Sequence, residues 1–161
     1  MAATCRFAFA VHVLTVLAYR RGTDVSSELL AGSVNTNAVC IRRLLSELRR
    51  AGLVCTQHGP GGGARLCDGP EEITLATVYR AVEHGATFSP HPHQPNQKCP
   101  VGRRIEEVLG EVFSSAQAAL EKALAERTLA DVLETLEEEA PRKARASKTP
   151  RSAAAASAAI R

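Results

Sequence analysis

The side chains best suited to chemistry are concentrated between residues 26 and 65. Asn35, Thr36 and Asn37 are followed closely by Arg42 and Arg43. Asn and Arg are the residue types that make two-point hydrogen bonds with adenine and guanine edges in the major groove. Ser26 and Ser27 lie just upstream, where hydroxyls and the free amides of a helix start suit a phosphate oxygen. Downstream, His58-Gly59-Pro60-Gly61-Gly62-Gly63 lets a backbone approach a ligand closely, and His58 and Arg65 add cationic contacts. This is a set for reading nucleic acid rather than for catalysis. The chain has no glycine loop ending in Lys-Ser or Lys-Thr, and its histidines have no nucleophile at motif spacing. Gly61, Gly62 and Gly63 end a hairpin instead of opening a helix, so they do not fit a dinucleotide fingerprint. The expectation is a binding protein with no catalytic residues, not an enzyme.

The five cysteines (Cys5, Cys40, Cys55, Cys67, Cys99) are odd in number and contain no C-x-x-C pair. That argues against a disulfide scaffold and a zinc finger. Cys55 and Cys67 fall on facing strands and lie near each other, and a reducing cytoplasm makes two free thiols the expectation. Cys5 and Cys40 read as small packing residues. Cys99 precedes Pro100, and proline is favoured at the first helical position, so Cys99 is expected to cap a helix. There the helix dipole, free amides and Lys98 stabilise a thiolate, which makes Cys99 a candidate redox-sensing residue. The alternative is an ordinary capping cysteine. His91-Pro92-His93 lies close by and with Cys99 offers donors for a metal. Exposed histidines spaced by proline are more often plain loop, and the expectation is no metal and no cofactor.

These residues need elements to hold them. Phe7, Ala10, Val11, Leu14, Leu17 and Ala18 recur at three- and four-residue spacing, which predicts a helix over 6–20. Ser26 caps a short helix over 27–34, and Asn35-Thr36-Asn37 is a turn plus cap. A third helix runs from about 38 to 51, with Ile41, Leu44, Leu45 and Leu48 buried and Gly52 as its left-handed terminator. Strands over 53–57 and 64–67 flank the glycine tip. Leu75, Val78, Tyr79 and Val82 give a fourth helix, and residues 85–98, with three prolines, form a loop. A long helix starts near Pro100 and runs to about Glu126. Its apolar line includes Ile105, Val108, Leu109, Val112, Phe113 and Leu120, more than one short neighbour can cover, which predicts a homodimer interface. Thr128 caps a last short helix. The class is mainly α with a small β-hairpin: a winged helix-turn-helix plus a long C-terminal dimerisation helix.

Composition agrees. Hydrophobic residues are 45% but aromatics only 4%, so the core must be built from Leu, Val, Ile and Ala. The net charge of +3 conceals an asymmetry. Residues 1–70 hold eight basic against four acidic side chains, 100–139 four against ten, and 140–161 six against none. Basic ends suit an anionic partner, here double-stranded DNA. The apolar run from Phe7 to Tyr19 is too short to span a bilayer, and Arg20-Arg21 stands where a cleavage site needs small neutral residues. The expectation is a cytoplasmic protein with no membrane partner. The expected organisation is a winged domain over 1–84, a candidate sensor loop over 85–99, dimerisation helices over 100–139 and a disordered basic tail over 140–161.

Four stretches together resemble a known family: Ser33-Val34-Asn35-Thr36-Asn37, Arg43-Leu44-Leu45 with Leu48-Arg49, Ala51-Gly52-Leu53-Val54, and Gly59-Pro60-Gly61-Gly62-Gly63. They are similar to the Rrf-two-type (IscR/NsrR-like) winged-helix transcriptional regulators, over about residues 6–137. Asn96 to Gly102, reading Asn-x-x-Cys-Pro-Val-Gly, is similar to the cluster-free, YwnA-like branch. The resemblance implies a homodimer with crossed long helices and two winged domains on a palindromic operator, acting as a repressor. Ala64 stands where the family often has an aromatic residue, which implies a more loosely packed wing. Cluster-binding members use three cysteines and a fourth ligand before the long helix. This chain offers Cys99 there, with Gly102 where a fourth ligand would be sought, which implies no iron–sulfur cluster. Regulation through a small metabolite, or use of the winged domain for protein contacts, stays open as an alternative.

Overall fold

A computed structural model describes residues 5–57, 59, 61–85 and 87–146, with side chains as far as Glu138. The elements are α1 (Arg6–Tyr19), α2 (Ser27–Val34), α3 (Ala38–Arg50), β1 (Val54–Gln57), β2 (Gly63–Leu66), α4 (Leu75–Val82), α5 (Ile105–Ala125) and α6 (Leu129–Ala146). The protein is mainly α with a small antiparallel hairpin. No helix among the described residues is long and apolar enough to cross a membrane.

The apolar spacing in the sequence becomes the core. Ala10, Val13, Leu14 and Leu17 of α1 meet Leu30 of α2, Ile41 and Leu48 of α3, Val78 and Val82 of α4, and Leu129 at the start of α6. Each fully buried leucine or isoleucine contributes about 1.5–3 kcal/mol through removal of apolar surface from water. Local caps fix where the helices begin. The Ser26 hydroxyl accepts from the Leu29 amide at 3.2 Å, and Asn37 Oδ1 accepts from the Cys40 amide at 2.8 Å. Thr128 and Asp131 satisfy each other's amides, the Thr128 amide donating to the Asp131 carboxylate at 2.7 Å. That hydrogen bond holds the Asp131 carboxyl below the usual carboxylate range.

Strands β1 and β2 pair from Val54 with Leu66 to Gln57 with Gly63. Two further contacts fasten this hairpin. The Val25 amide donates to the Ala64 carbonyl and the Ala64 amide to the Val25 carbonyl, both at 2.9 Å. Cys55 and Cys67 form a disulfide with Cα atoms 5.2 Å apart. Free thiols were the expectation, set by compartment. Geometry decides otherwise, because diagonal positions across the hairpin bring the two sulfurs together. Closing a loop of this size removes about 3 kcal/mol of entropy from the unfolded chain. Ala64 is buried, so the missing aromatic ring has not left this part of the wing loose.

The chain after α4 departs from expectation in two places. Helix α5 begins at Ile105, not near Pro100. Asn96 organises a turn ahead of it: its Oδ1 accepts from the Lys98 amide at 2.9 Å and its carbonyl from the Cys99 amide at 3.0 Å. A Cβ at Gly102 would lie 2.3 Å from that carbonyl, so glycine is required there and the turn stays tight. The last helix, α6, continues past Pro141 to Ala146, where the sequence suggested a tail. The remainder of the basic tail, 147–161, lies outside the described residues. A strand-like bridge of Thr74 with Thr128 ties the α5–α6 junction to the segment after the wing. In it the Leu75 amide donates to the Arg127 carbonyl at 2.8 Å and the Leu129 amide to the Ile73 carbonyl at 3.0 Å.

Candidate nucleic-acid interface

Helix α2, the turn 35–37 and α3 form a helix-turn-helix, and the hairpin stands beside it. Asn35 adopts the left-handed conformation (φ 58°) that ends α2, so its backbone does structural work while its side chain stays exposed. Thr36 donates its amide to the Ala31 carbonyl at 2.9 Å, and the Asn37 side chain is spent on the α3 cap. These three residues therefore build the turn that aims α3.

Between α2, α3 and the wing lies an open cleft of about 470 Å³. Ser26, Ser27, Glu28 and Arg42 line one side, Thr56, Gln57, Gly59, Gly62 and Gly63 the other, and Ser46 and Arg49 of α3 line it as well. Arg42 donates to Glu28 at 2.8 Å and to the Ser27 hydroxyl at 3.2 Å. The Arg42 hydrogen bond is the largest cause of a Glu28 pKa below the usual carboxylate value. Both partners are more than half exposed, so the pair is worth little to stability and can exchange for a phosphate or base. Arg65 is likewise paired, with Asp24 at 3.0 Å, which holds it at the root of the wing rather than free at its tip. Arg43 projects on the opposite flank of α3, beside Asn37, Val39 and Cys40. Among the described residues it makes no ion pair. His58 and Pro60 lie outside the described residues.

Sequence reasoning missed Ser46, Arg49, Thr56 and Gln57 as cleft residues. The spacing of Arg42, Ser46 and Arg49, four and then three apart on one helix, carried the signal for two of them. Thr56 and Gln57 needed the hairpin register.

Cys99 does not cap α5, whose N-cap is Arg104. It opens the turn ahead of that helix, with the Arg103 amide donating to its carbonyl at 3.1 Å. Hydrogen bonds from the Gly102 amide, then the Val101 amide, lower the pKa of this exposed thiol. The anion-stabilising setting is thus provided by a turn instead of the long helix. Among the described residues, His91, His93 and Cys99 do not form a group able to hold a metal ion.

The six candidate dimer residues divide between two faces of α5. Val108 (48% exposed) and Val112 (55% exposed) face solvent. Ile105, Leu109, Phe113 and Leu120 are half-buried. Phe113 stacks on Phe88 at 5.1 Å, while Gln117 accepts from Thr87 and Arg80 pairs with Glu121.

Comparison with known proteins agrees with this architecture. The family model described as "Rrf2: Iron-dependent Transcriptional regulator" matches residues 3–135. YwnA of Bacillus subtilis (strain 168), an HTH-type transcriptional regulator, is 41% identical over 131 residues, covering 81% of this chain and 96% of its own. A crystal structure of a DNA binding protein is 38% identical and superposes with a TM-score of 0.63, covering 80% of this chain and 98% of that one. The IscR of T. potens shares the fold, with a TM-score of 0.66 at 24% identity over 87% of this chain and 91% of its own. Iron dependence through an iron–sulfur cluster does not fit the residues here. Cys99 is the single cysteine between residues 68 and 161, and an iron–sulfur centre needs several thiolates. By the span of the family match and the identity to YwnA, the chain belongs to the Rrf2 family of DNA-binding transcriptional regulators.

Proposed function

We propose that the protein is a homodimeric, cytoplasmic repressor that grips a palindromic operator with two winged reading heads, and that Cys99 makes its affinity responsive to oxidants and electrophiles. The observation that carries the reading is the cleft in which Ser27, Arg42 and Arg49 face a glycine wing fastened to the same body. In this reading, Ser26 and Ser27 on one wall take phosphate oxygens, and Arg42 and Arg49 of α3 reach base edges. Two such heads on one two-fold axis match a palindrome with half-sites about 34 Å apart.

Genomic fragments selected on the protein supply the operator for two measurements. Binding weakens steeply as salt rises, because neutralised phosphates release counterions. Arg43→Ala costs about 1–3 kcal/mol on the selected operator and relaxes preference at one base position. An Arg43→Ala protein with unchanged affinity and unchanged preference would remove that residue from the reading set.

Cys99 stands where the loop enters the dimer helix. An oxidised or alkylated sulfur there adds bulk to a turn that Gly102 keeps tight. A difference of about 1.4 kcal/mol between the two helix arrangements suffices for a tenfold loss of affinity. With its pKa lowered, the thiol stays reactive at a pH below the ordinary thiol range of about 8.5. On protein whose Cys55–Cys67 bridge is closed, peroxide therefore weakens operator binding by the wild type about tenfold and leaves Cys99→Ser unaffected. Equal peroxide sensitivity in both proteins would end the sensor reading while the DNA-binding one stands.

A further inference from the structure

We propose that the Cys55–Cys67 bridge is a redox-addressable modification site: a dithiol reductant opens it, loosens the wing and weakens operator binding, and a peroxide closes it again. The inference rests on the DNA-binding reading above and concerns a different sulfur pair from Cys99.

Beyond Val54 and Ala64, which are buried in the core, the wing has little else to hold it. It contains four residue pairs, and an isolated two-stranded hairpin is marginal in water. Its tip is built from glycines that lose much conformational freedom on ordering, with Gly59 and Gly61 both at positive φ. At the base, buried Val54 anchors β1, and the Val25–Ala64 bridge fastens β2 to the body. The disulfide joins Cys55 in β1 to Cys67 just beyond β2, and so makes the two strands one covalent unit. Thr56, Gln57, Gly62 and Gly63 of that unit form a wall of the cleft. Order in the wing and shape of the reading cleft are therefore coupled through this bond.

The bridge is also chemically accessible. Cys67 is exposed and Cys55 only half-buried. A thiolate of the dithiol attacks the Cys67 sulfur in line with the S–S bond, which breaks and releases Cys55 as a thiolate. The second thiol of the reductant then attacks its own sulfur in the mixed disulfide and releases Cys67, leaving the reductant as a cyclic disulfide. Two electrons pass to the protein, and both cysteines take up protons. Closure reverses the balance: one thiolate attacks the peroxide to give a sulfenic acid and an alcohol or water. The second thiolate displaces water from that sulfenic acid, forming the bond. In the reducing compartment that a DNA-binding regulator occupies, bridges of this kind are transient or redox-sensing.

The test uses the full chain carrying Cys5→Ser, Cys40→Ser and Cys99→Ser, so that the wing bridge is the redox site read. Trypsin cuts after Arg50, Arg65 and Arg80, so a closed bridge joins peptides 51–65 and 66–80 in one mass that dithiothreitol splits. Operator affinity, measured by fluorescence anisotropy, falls about tenfold on opening and returns after hydrogen peroxide. The double variant Cys55→Ser, Cys67→Ser binds as the reduced protein does, with or without peroxide, and keeps the helical circular dichroism of the parent. Failure of peroxide to join the two peptides would overturn the inference, as would an affinity unchanged when they separate. Absence of selective DNA binding in both states would instead overturn the proposed function, with the peptide map still reporting the bridge.

Discussion

Glutamate at both Val108 and Val112 converts the protein to a monomer and lowers operator affinity by about a hundredfold or more. The two valines are the large apolar side chains that α5 leaves toward solvent. Ser115, Ala119 and Ala123 continue the exposed side, and their small size permits close approach of a second helix. In a two-fold interface each substitution counts twice, and the new carboxylates confront their own copies. The opposite side of α5 is already spoken for by Phe88, Thr87 and Arg80, so the fold of one protomer survives. Affinity falls because two heads on one body bind cooperatively, and separating them forfeits an effective concentration worth 10²–10⁴-fold, roughly. Sedimentation velocity at micromolar concentration with operator titration checks both halves. A variant that stays dimeric, or a monomer that binds as the parent does, would refute the assignment of this face.

Gly63→Val detaches the wing from the body and destabilises the protein by about 2–4 kcal/mol. A Cβ at residue 63 would lie 2.6 Å from the Val25 carbonyl oxygen and 2.8 Å from its nitrogen. Backbone on that side cannot rotate away as a side chain would. Strand β2 must move, and the reciprocal Val25–Ala64 hydrogen bonds, each 2.9 Å, are lost together. Melting falls by roughly 5–15 °C at 2–4 °C per kcal/mol for a chain of this size, and operator binding weakens with it. Gly32→Ala is the control: it lies in α2 with nothing within 4 Å of the new Cβ, and it raises helix stability by about 0.5–1 kcal/mol. A Gly63→Val protein melting with the parent would show that the wing yields without cost.

The first four helices were legible because their signals are local. Ile41, Leu44, Leu45 and Leu48 repeat at helical spacing, and Ser26, Asn37 and Gly52 mark ends through short-range hydrogen bonds or a positive φ. What was not legible depends on contacts between elements. The start of α5 is set by the Asn96 carbonyl over Gly102, and no periodicity reports such an approach. Arg42 and Arg65 were expected to face DNA freely; their partners Glu28 and Asp24 come from other segments. The disulfide was hidden for a related reason, since spacing placed its cysteines on facing strands but only the diagonal geometry brought the sulfurs into bonding range. Leu109 and Phe113, which one apolar stripe grouped with Val108 and Val112, turn partly inward because α4 and Phe88 claim that side.

The Thr74–Thr128 bridge gives the molecule a fulcrum. One arm is α5, whose 21 residues reach about 30 Å at 1.5 Å per residue, from the pinned junction to the turn holding Cys99. The other side carries Ile73, Pro70 and, just before them, the wing. A rotation of about five degrees sweeps the far end of such an arm through about 2.5 Å, close to the rise of one base pair, about 3.4 Å. In the proposed dimer, whatever alters the turn at Cys99 is thus converted into a change of reach between the two heads. Operators with one base pair added between half-sites then serve as a ruler, and the untreated and oxidised proteins rank them differently.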